Sequence, residues 1–352
     1  MGGAFISVAE GADGHLVNPA SFTSRHAYAG DDWFNADATL SWVTVGVADE
    51  TDLDLSGQPG NWDQAQVFQG GFNLKFGRHG VGAHIIGRRY TVTLDDPVSG
   101  ERRQVSYEQT LGGLGYAYPF LDGDLTVGIV FPTGTASLSA GGKEIVRLEG
   151  GGVLVGGVWA PCGANFRVGA TWRRDIVGRD VTTGVAEDFG EVVPEAIAVP
   201  SELGVGGSVM LGARRYNTCP SYGDWEQVTE LPPLRSLRRE YVLLAMDLVL
   251  TGASEHAIGV QSFIEQRPRA SGAAPVLSVR AGAESELWSD LLVVRGGTYY
   301  EPSRFEDTSG RLHGTFGFDV SLFELIWPWK ASFVADVAPR YTNVGFGLGI
   351  WH

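Results

Sequence analysis

Only one stretch of this sequence carries acidic side chains at a spacing that suggests chemistry. In "DLDLSGQPGNWD", Asp52, Asp54, Ser56, Gly57 and Asp63 reproduce the spacing of a calcium-binding loop, with aspartate in the last ligand position. Helices do not flank this stretch in the sequence pattern and Pro59 interrupts it, so an acidic, solvated loop is the competing reading. Nucleophile and metal signatures are missing: there is no GxSxG, no HExxH and no P-loop, and the seven histidines are scattered. The glycine clusters "GGLG", "GGGVLVGG" and "GVGG" fall inside strand-like stretches and not at a strand-to-helix turn. The expectation is a chain that is not an enzyme and needs no cofactor.

Other charged residues follow a different logic, because they alternate with apolar ones. Asp247 interrupts "YVLLAMDLVLT" on the face opposite Val242, Leu244, Met246, Leu248 and Leu250. Arg280 and Glu284 oppose Leu277, Val279, Ala281 and Ala283, and His313 and Asp319 oppose Leu312, Phe316, Phe318 and Val320. Lys330 and Asp336 oppose Ala331, Phe333, Ala335 and Val337. Arg295, together with Lys75, Arg167, Arg173 and Asp175, belongs to the same set. A period of two with one apolar and one charged face means β-strands.

Such strands fit a soluble sandwich with apolar faces inward, or a membrane barrel with apolar faces in lipid and charges in the lumen. Strand length and connections favour the barrel. Fourteen strands are expected, near 36–47, 65–78, 81–94, 103–118, 123–132, 145–160, 164–176, 202–212, 239–251, 275–286, 289–300, 310–321, 328–338 and 341–351. They are joined alternately by short turns and by long polar loops at 48–64, 133–144, 177–201 and 252–274. Short turns mark the periplasmic side, where 213–238 would be an insertion. The closing stretch "VGFGLGIWH" places Val344, Phe346, Leu348 and Ile350 at alternate positions, as the last strand of an outer-membrane protein does; Trp351 is penultimate and His352 last. Aromatics near strand ends, among them Trp33, Trp42, Trp159, Trp172, Trp327, Trp329, Tyr299, Tyr300 and Tyr341, suit interfacial girdles.

Composition agrees. The chain has 352 residues, of which 43% are hydrophobic and 19% charged, with 50 glycines and a net charge of −15. A surface this acidic excludes nucleic acid as a partner, since phosphate binding needs a basic face. No apolar run reaches the length of a transmembrane helix. "MGGAFISVAEGADG" lacks the basic and apolar regions of a signal peptide, so a leader removed ahead of it is expected. Lumenal charges must be paired, which predicts an ion network of Asp247, Arg280, Glu284, Arg295, His313, Asp319, Lys330 and Asp336 across neighbouring strands. Cys162 follows strand six and Cys219 lies in the insertion after strand eight. Both would face the oxidising periplasm, so a Cys162–Cys219 disulfide is expected.

Three segments resemble the FadL/TodX family of outer-membrane transporters for hydrophobic compounds. "AEGADGHLVNPAS" carries Asn18-Pro19-Ala20, similar to the family's N-terminal hatch; "LTVGIVFPTG" runs a strand into Pro132 and Gly134. The third, 275–321, resembles the family's two-strand phrase of Gly-Ala-Glu followed by Arg-Gly-Gly-x-Tyr-Tyr and Pro-Ser. The resemblance implies an all-β, fourteen-stranded transmembrane barrel over 36–352, in the bacterial outer membrane, with residues 1–35 folded inside as a short plug. Asn18, Pro19, Ala20 and Phe22 would then gate the passage of a fatty acid or aromatic hydrocarbon, which leaves sideways beside a kinked strand. The residues read alone also allow Asn18 simply to cap a helical turn begun by Pro19. Membrane lipid and a hydrophobic small molecule are the implied partners. A plugged structural barrel, anchoring or joining other envelope proteins, is the alternative. The sequence departs from the family in its short plug, in an extra early strand pair at 65–94 with a later one missing, and in lacking long apolar outer loops.

Overall fold

A computed structural model describes residues 1–24, 33–46, 51–60, 62–95, 102–180, 196–212, 216–217, 241–254, 257–265, 267, 269–289 and 291–351. Its strands are β1 (Phe34–Val45), β2 (Gln64–Phe76), β3 (His79–Asp95), β4 (Arg102–Phe120), β5 (Leu125–Ala140), β6 (Lys143–Gly151), β7 (Leu154–Trp159), β8 (Phe166–Arg173) and β9 (Ile176–Asp180). They continue as β10 (Ala196–Val199), β11 (Glu202–Gly212), β12 (Tyr241–Thr251), β13 (Val276–Trp288), β14 (Leu292–Glu301), β15 (Arg311–Leu325), β16 (Trp327–Ala338) and β17 (Tyr341–Trp351). Three pairs, β6 with β7, β8 with β9 and β10 with β11, are each one wall strand broken by two residues, so the antiparallel wall has 14 positions. β17 pairs with β1, Leu348 opposite Leu40, and the barrel closes. Closure leaves no free sheet edge, the condition a strand must meet to cross lipid.

The alternation read from the sequence sets the facing. Lumenal positions are fixed where the N-terminal segment touches the wall: a Cβ added at Gly128 of β5 would collide with Pro19, and one at Gly115 of β4 with the Phe22 ring. Alternate residues point outward, and these are exposed and apolar: Phe131 is 60% exposed, Leu114 69%, Phe346 63% and Met246 52%. Such a belt belongs in hydrocarbon. No helix among the described residues is long and apolar enough to cross a membrane; the strands do so.

Two sequence expectations are corrected. The segments 133–144 and 177–201 are not simply loops: β5 runs on to Ala140 and turns at Gly141–Gly142 into β6, while β9 and β10 carry the neighbouring strands upward. Above Phe131, β5 turns Thr133, Thr135, Ser137 and Ser139 outward and buries Ala136, Leu138 and Ala140. The wall therefore rises beyond the lipid as a polar-outside, apolar-inside hood. Tyr299 and Tyr341 are lumenal and not part of a girdle: Tyr299 stacks on His313, with ring centroids 4.1 Å apart, and Arg311 lies 4.2 Å over the Tyr341 ring. Of the insertion at 213–238, only Tyr216 and Asn217 are described, both buried. His352 lies outside the described residues.

Candidate functional site

Residues 1–24 lie in the lumen and meet the wall on nearly every side. Asn18 is fully buried at the N-cap of a 3-10 turn, Pro19–Phe22, whose Ala20 N–H donates to Asn18 Oδ1 at 3.1 Å. The same side chain donates from Nδ2 to the carbonyls of Ile6 (2.9 Å) and of Gly157 in β7 (3.1 Å). One amide thus caps a turn, ties it to the preceding segment and joins both to the wall. Pro19 packs on Gly128 and Gly156, and Phe22 fills a hollow between Ala117, Val130 and Leu154 with its ring 4.0 Å from that of His15. The capped turn and the wall contact are properties of one residue and do not compete.

Charged wall residues hold the rest of the segment. Asp247 accepts from the backbone N–H of Phe5 (2.6 Å) and Ile6 (2.9 Å), and Arg280 reaches the Gly3 carbonyl at 3.5 Å. Arg167 binds Glu10 at 2.7 Å while its other nitrogens donate to Asn217 and the Tyr216 carbonyl. Asp37 accepts from the Ala12 N–H and from Asn73 Nδ2. Lys330 bridges Asp13 (3.0 Å) and Asp319 (4.0 Å); Asp319 binds Arg295 at 2.8 Å, which binds Glu284 at 2.6 Å.

The eight residues expected to form one network fall into three groups. Glu284, Arg295, Asp319 and Lys330 form a chain that ends on Asp13. Asp247 and Arg280, opposite each other in the β12–β13 register, each grip backbone of the N-terminal segment. His313 and Asp336 form a separate cluster, nearer the outer end, with Glu301, Arg311 and Tyr299. Sequence reasoning missed Glu10, Asp13 and Asp37; the first two sit in a segment with no strand alternation to reveal a facing. Cys162 is disulfide-bonded, and Cys219, the chain's other cysteine, lies outside the described residues.

The wall has a defect beside this segment. Breaks at 152–153, 174–175 and 200–201 lie next to one another across three wall strands, and β5 carries Pro132 at the same row. Pro132 and Pro200 have no N–H to give to a ladder; β4 still pairs with β5 through Gly113 opposite Pro132, and the pairing of β5 with β6 and β7 is what breaks at this row. The Pro132 carbonyl accepts from Gly152 N–H at 2.9 Å, and Arg173, paired with Glu202 at 3.0 Å, spans the break to the Pro200 carbonyl. A cavity of about 20 Å³ sits there, lined by Leu111, Gly134, Leu148, Gly150, Ile176 and Val199. That is room for about one water molecule.

Loops cover the outer mouth. Asp52 accepts from Ser56 and Gly57 N–H, and Asp54 from Ser56 N–H and, at 3.0 Å, from Gln261 N–H. Asp63 accepts from Thr93. These aspartates order turns: their oxygens already serve backbone and hydroxyl donors, and no group of three or more metal-ligating side chains occurs among the described residues.

The sequence matches no protein-family model, and no curated protein matches it. Solved structures do. The Pseudomonas putida toluene transporter TodX superposes with a TM-score of 0.60 at 13% identity, covering 100% of this chain and 96% of that one. A Pseudomonas aeruginosa FadL homologue gives 0.59 at 12% identity, with 100% and 95% covered. The Ralstonia pickettii toluene transporter TbuX gives 0.55 at 16%, again with 100% and 95% covered. The chain has the barrel fold of these FadL- and TodX-type structures.

Proposed function

We propose that this barrel is a passive channel, not an enzyme, through which hydrophobic small molecules cross the outer membrane. The observation that carries the reading is the coincidence of a lumenal segment, pinned at Asn18–Phe22, with a broken stretch of wall immediately beside it. A compound released from the outer mouth would meet the buried turn and leave sideways, at the row of breaks in β6–β7, β8–β9 and β10–β11, into lipid. No energy source is needed: an apolar solute moves from water into hydrocarbon downhill. Neighbours whose names describe toluene transporters make an aromatic hydrocarbon the first substrate class to try, with fatty acids second. The reading of a sealed structural barrel is not favoured by those neighbours.

The test is uptake of a labelled monoaromatic hydrocarbon and a labelled long-chain fatty acid by cells or proteoliposomes carrying the barrel. Wild type should accelerate uptake of one of them over barrel-free controls, and replacing Asn18 by alanine should change that rate. Equal uptake with and without the barrel for both compounds would sink the proposal.

A further inference from the structure

Beyond the lipid belt the hood encloses an apolar chamber. Its lining is lumenal: Tyr90 and Val92 from β3, Val105 and Tyr107 from β4, Leu138 from β5 and Leu148 from β6, all under a tenth exposed. The chamber is filled from above by a five-residue helix, α2 (Val260–Ile264), in the segment that joins β12 to β13; α1 is the single turn Gly11–Gly14 of the lumenal segment. Phe263, 5% exposed, meets the Tyr107 ring edge-on at 6.2 Å, and Ile264 is fully buried in the same cluster.

A helix of one turn is not stable alone, so what holds α2 decides what it can do. Its polar ties run to another loop. Buried Gln261 accepts from Leu53 N–H at 2.8 Å, donates from its amide to the Gln58 carbonyl at 2.8 Å, and donates its backbone N–H to Asp54 at 3.0 Å. Ser303 and Thr308 donate to the Leu55 and Ser56 carbonyls, and Arg269 binds both the Ser56 carbonyl and Asp307. The loops are bonded to one another, while contact with the chamber is apolar: Phe263 and Ile264 are buried in it, and Leu53, Trp62 and Ile258 pack against its edge.

We propose that α2 is a displaceable lid: Phe263 and Ile264 occupy the apolar chamber as a tethered ligand, Gln261 is the peg that holds them there, and an entering apolar ring takes the place of Phe263. This rests on the channel reading and adds its regulation at the outer mouth. The chamber is aromatic on the side that Phe263 touches, through Tyr107 and through Tyr90 stacked 6.4 Å from it, so a ring is the shape it accepts. Apparent affinity for such a ligand is lowered by the fraction of time the lid is closed. Removing the lid's ring, or its peg, therefore raises affinity.

The experiment is equilibrium dialysis of labelled toluene, the phenylalanine side chain as a free molecule, against the whole barrel in lipid nanodiscs, with empty discs subtracted. Phe263→Ala should bind toluene about ten-fold more tightly than wild type, and Gln261→Ala, which keeps the ring, should also bind more tightly. Folding is checked by the heat-dependent shift in gel mobility that intact barrels show; should Phe263→Ala fail it, Gln261→Ala decides. Affinities equal to or weaker than wild type overturn the lid. Uptake is measured separately on the same proteins. Wild-type uptake with unchanged binding in the variants removes the lid and keeps the channel, whereas tighter binding in the variants without uptake by any protein keeps the lid and removes the channel.

Discussion

Asn18 spends its single amide on three partners, and Lys330 spends its charge on two; these are the residues through which the lumenal segment and the wall hold each other. Replacing Lys330 by methionine keeps the stem that lies along Gly349 but takes from Asp13 its ion-pair partner, while Asp319 keeps Arg295. Removing one partner from a partly buried pair costs more than the pair contributes, about 1–3 kcal/mol here. The expected outcome is a folded barrel with larger or more frequent current steps in planar bilayers than wild type. Arg147→Met, which removes an exposed pair on the outer face, is the control, and identical traces from all three proteins would refute the latch. Space gives a second residue-level prediction. The Cβ of a leucine at Gly156 would already collide with Asn18 and Pro19, whereas a Cβ at Gly207, on the lipid side of β11, meets nothing closer than 3.9 Å. Gly156→Leu should expose the N-terminal segment to protease added from the periplasmic side and Gly207→Leu should not. Protection retained in both variants would count against the seat.

At the scale of elements, the broken wall strands and the lid can each be altered without touching the lumenal segment. Pro132→Val restores an N–H to β5 and suits a strand, so pairing should extend across the row of the break. Its expected effect is slower uptake of a hydrophobic compound at unchanged binding in the outer chamber; unchanged uptake would mean that the break is not the exit. The lid is pH-sensitive in a direction that can be derived. Burial raises the carboxyl groups of Asp54 and Glu265, both in outer loops, above their ordinary values. A carboxyl that holds its proton more tightly when buried favours the closed loops at low pH, and that advantage is lost as pH rises from the ordinary carboxylate range through the raised values. Toluene affinity should therefore rise with pH over that interval in wild type and stay flatter in Asp54→Asn; an equal slope in both would refute it. The wall strands were legible because lipid and lumen impose opposite polarity on alternate residues, as in 242–250 and 312–320. The upper half of β5 was not, because Thr133 to Ala140 contains no charge and no large alternating residue except Leu138, and its partner β6 supplies what the local sequence lacks. The lid was missed for a related reason: "VQSFI" is too short to show a helical period and exists through Gln261 and the chamber it fills.

Taken whole, the molecule changes its rule of facing at one level. Along β5, Val127, Ile129 and Phe131 point to lipid and Thr126, Gly128 and Val130 to the lumen; from Thr133 upward the outward face is hydroxyl-bearing and the inward face is apolar. The period of two never slips, but the solvent outside has changed from hydrocarbon to water, so the side that must be apolar has changed with it. The same change occurs in β3, where Val81 and Ile85 are exposed and apolar below while Tyr90 and Val92 are buried above. In β4, Leu114 and Tyr116 face outward below, and Val105 and Tyr107 face inward above. One chain thus joins a membrane barrel to a water-soluble hood through continuous strands, and the boundary between them fixes how deep the protein sits. A charge placed on the outer surface reads that depth. Met246→Lys, in the middle of β12, puts an ammonium group into hydrocarbon and should cost about 2–4 kcal/mol. Thr135→Lys, a few residues above the boundary on β5, should cost about 0–1 kcal/mol. Both are measured by urea titration of the barrel folded into lipid vesicles, in which the midpoint shifts strongly for the first variant and little for the second. Equal shifts would mean that the belt ends elsewhere, and with it that the chamber under α2 lies at the depth of lipid and not of water.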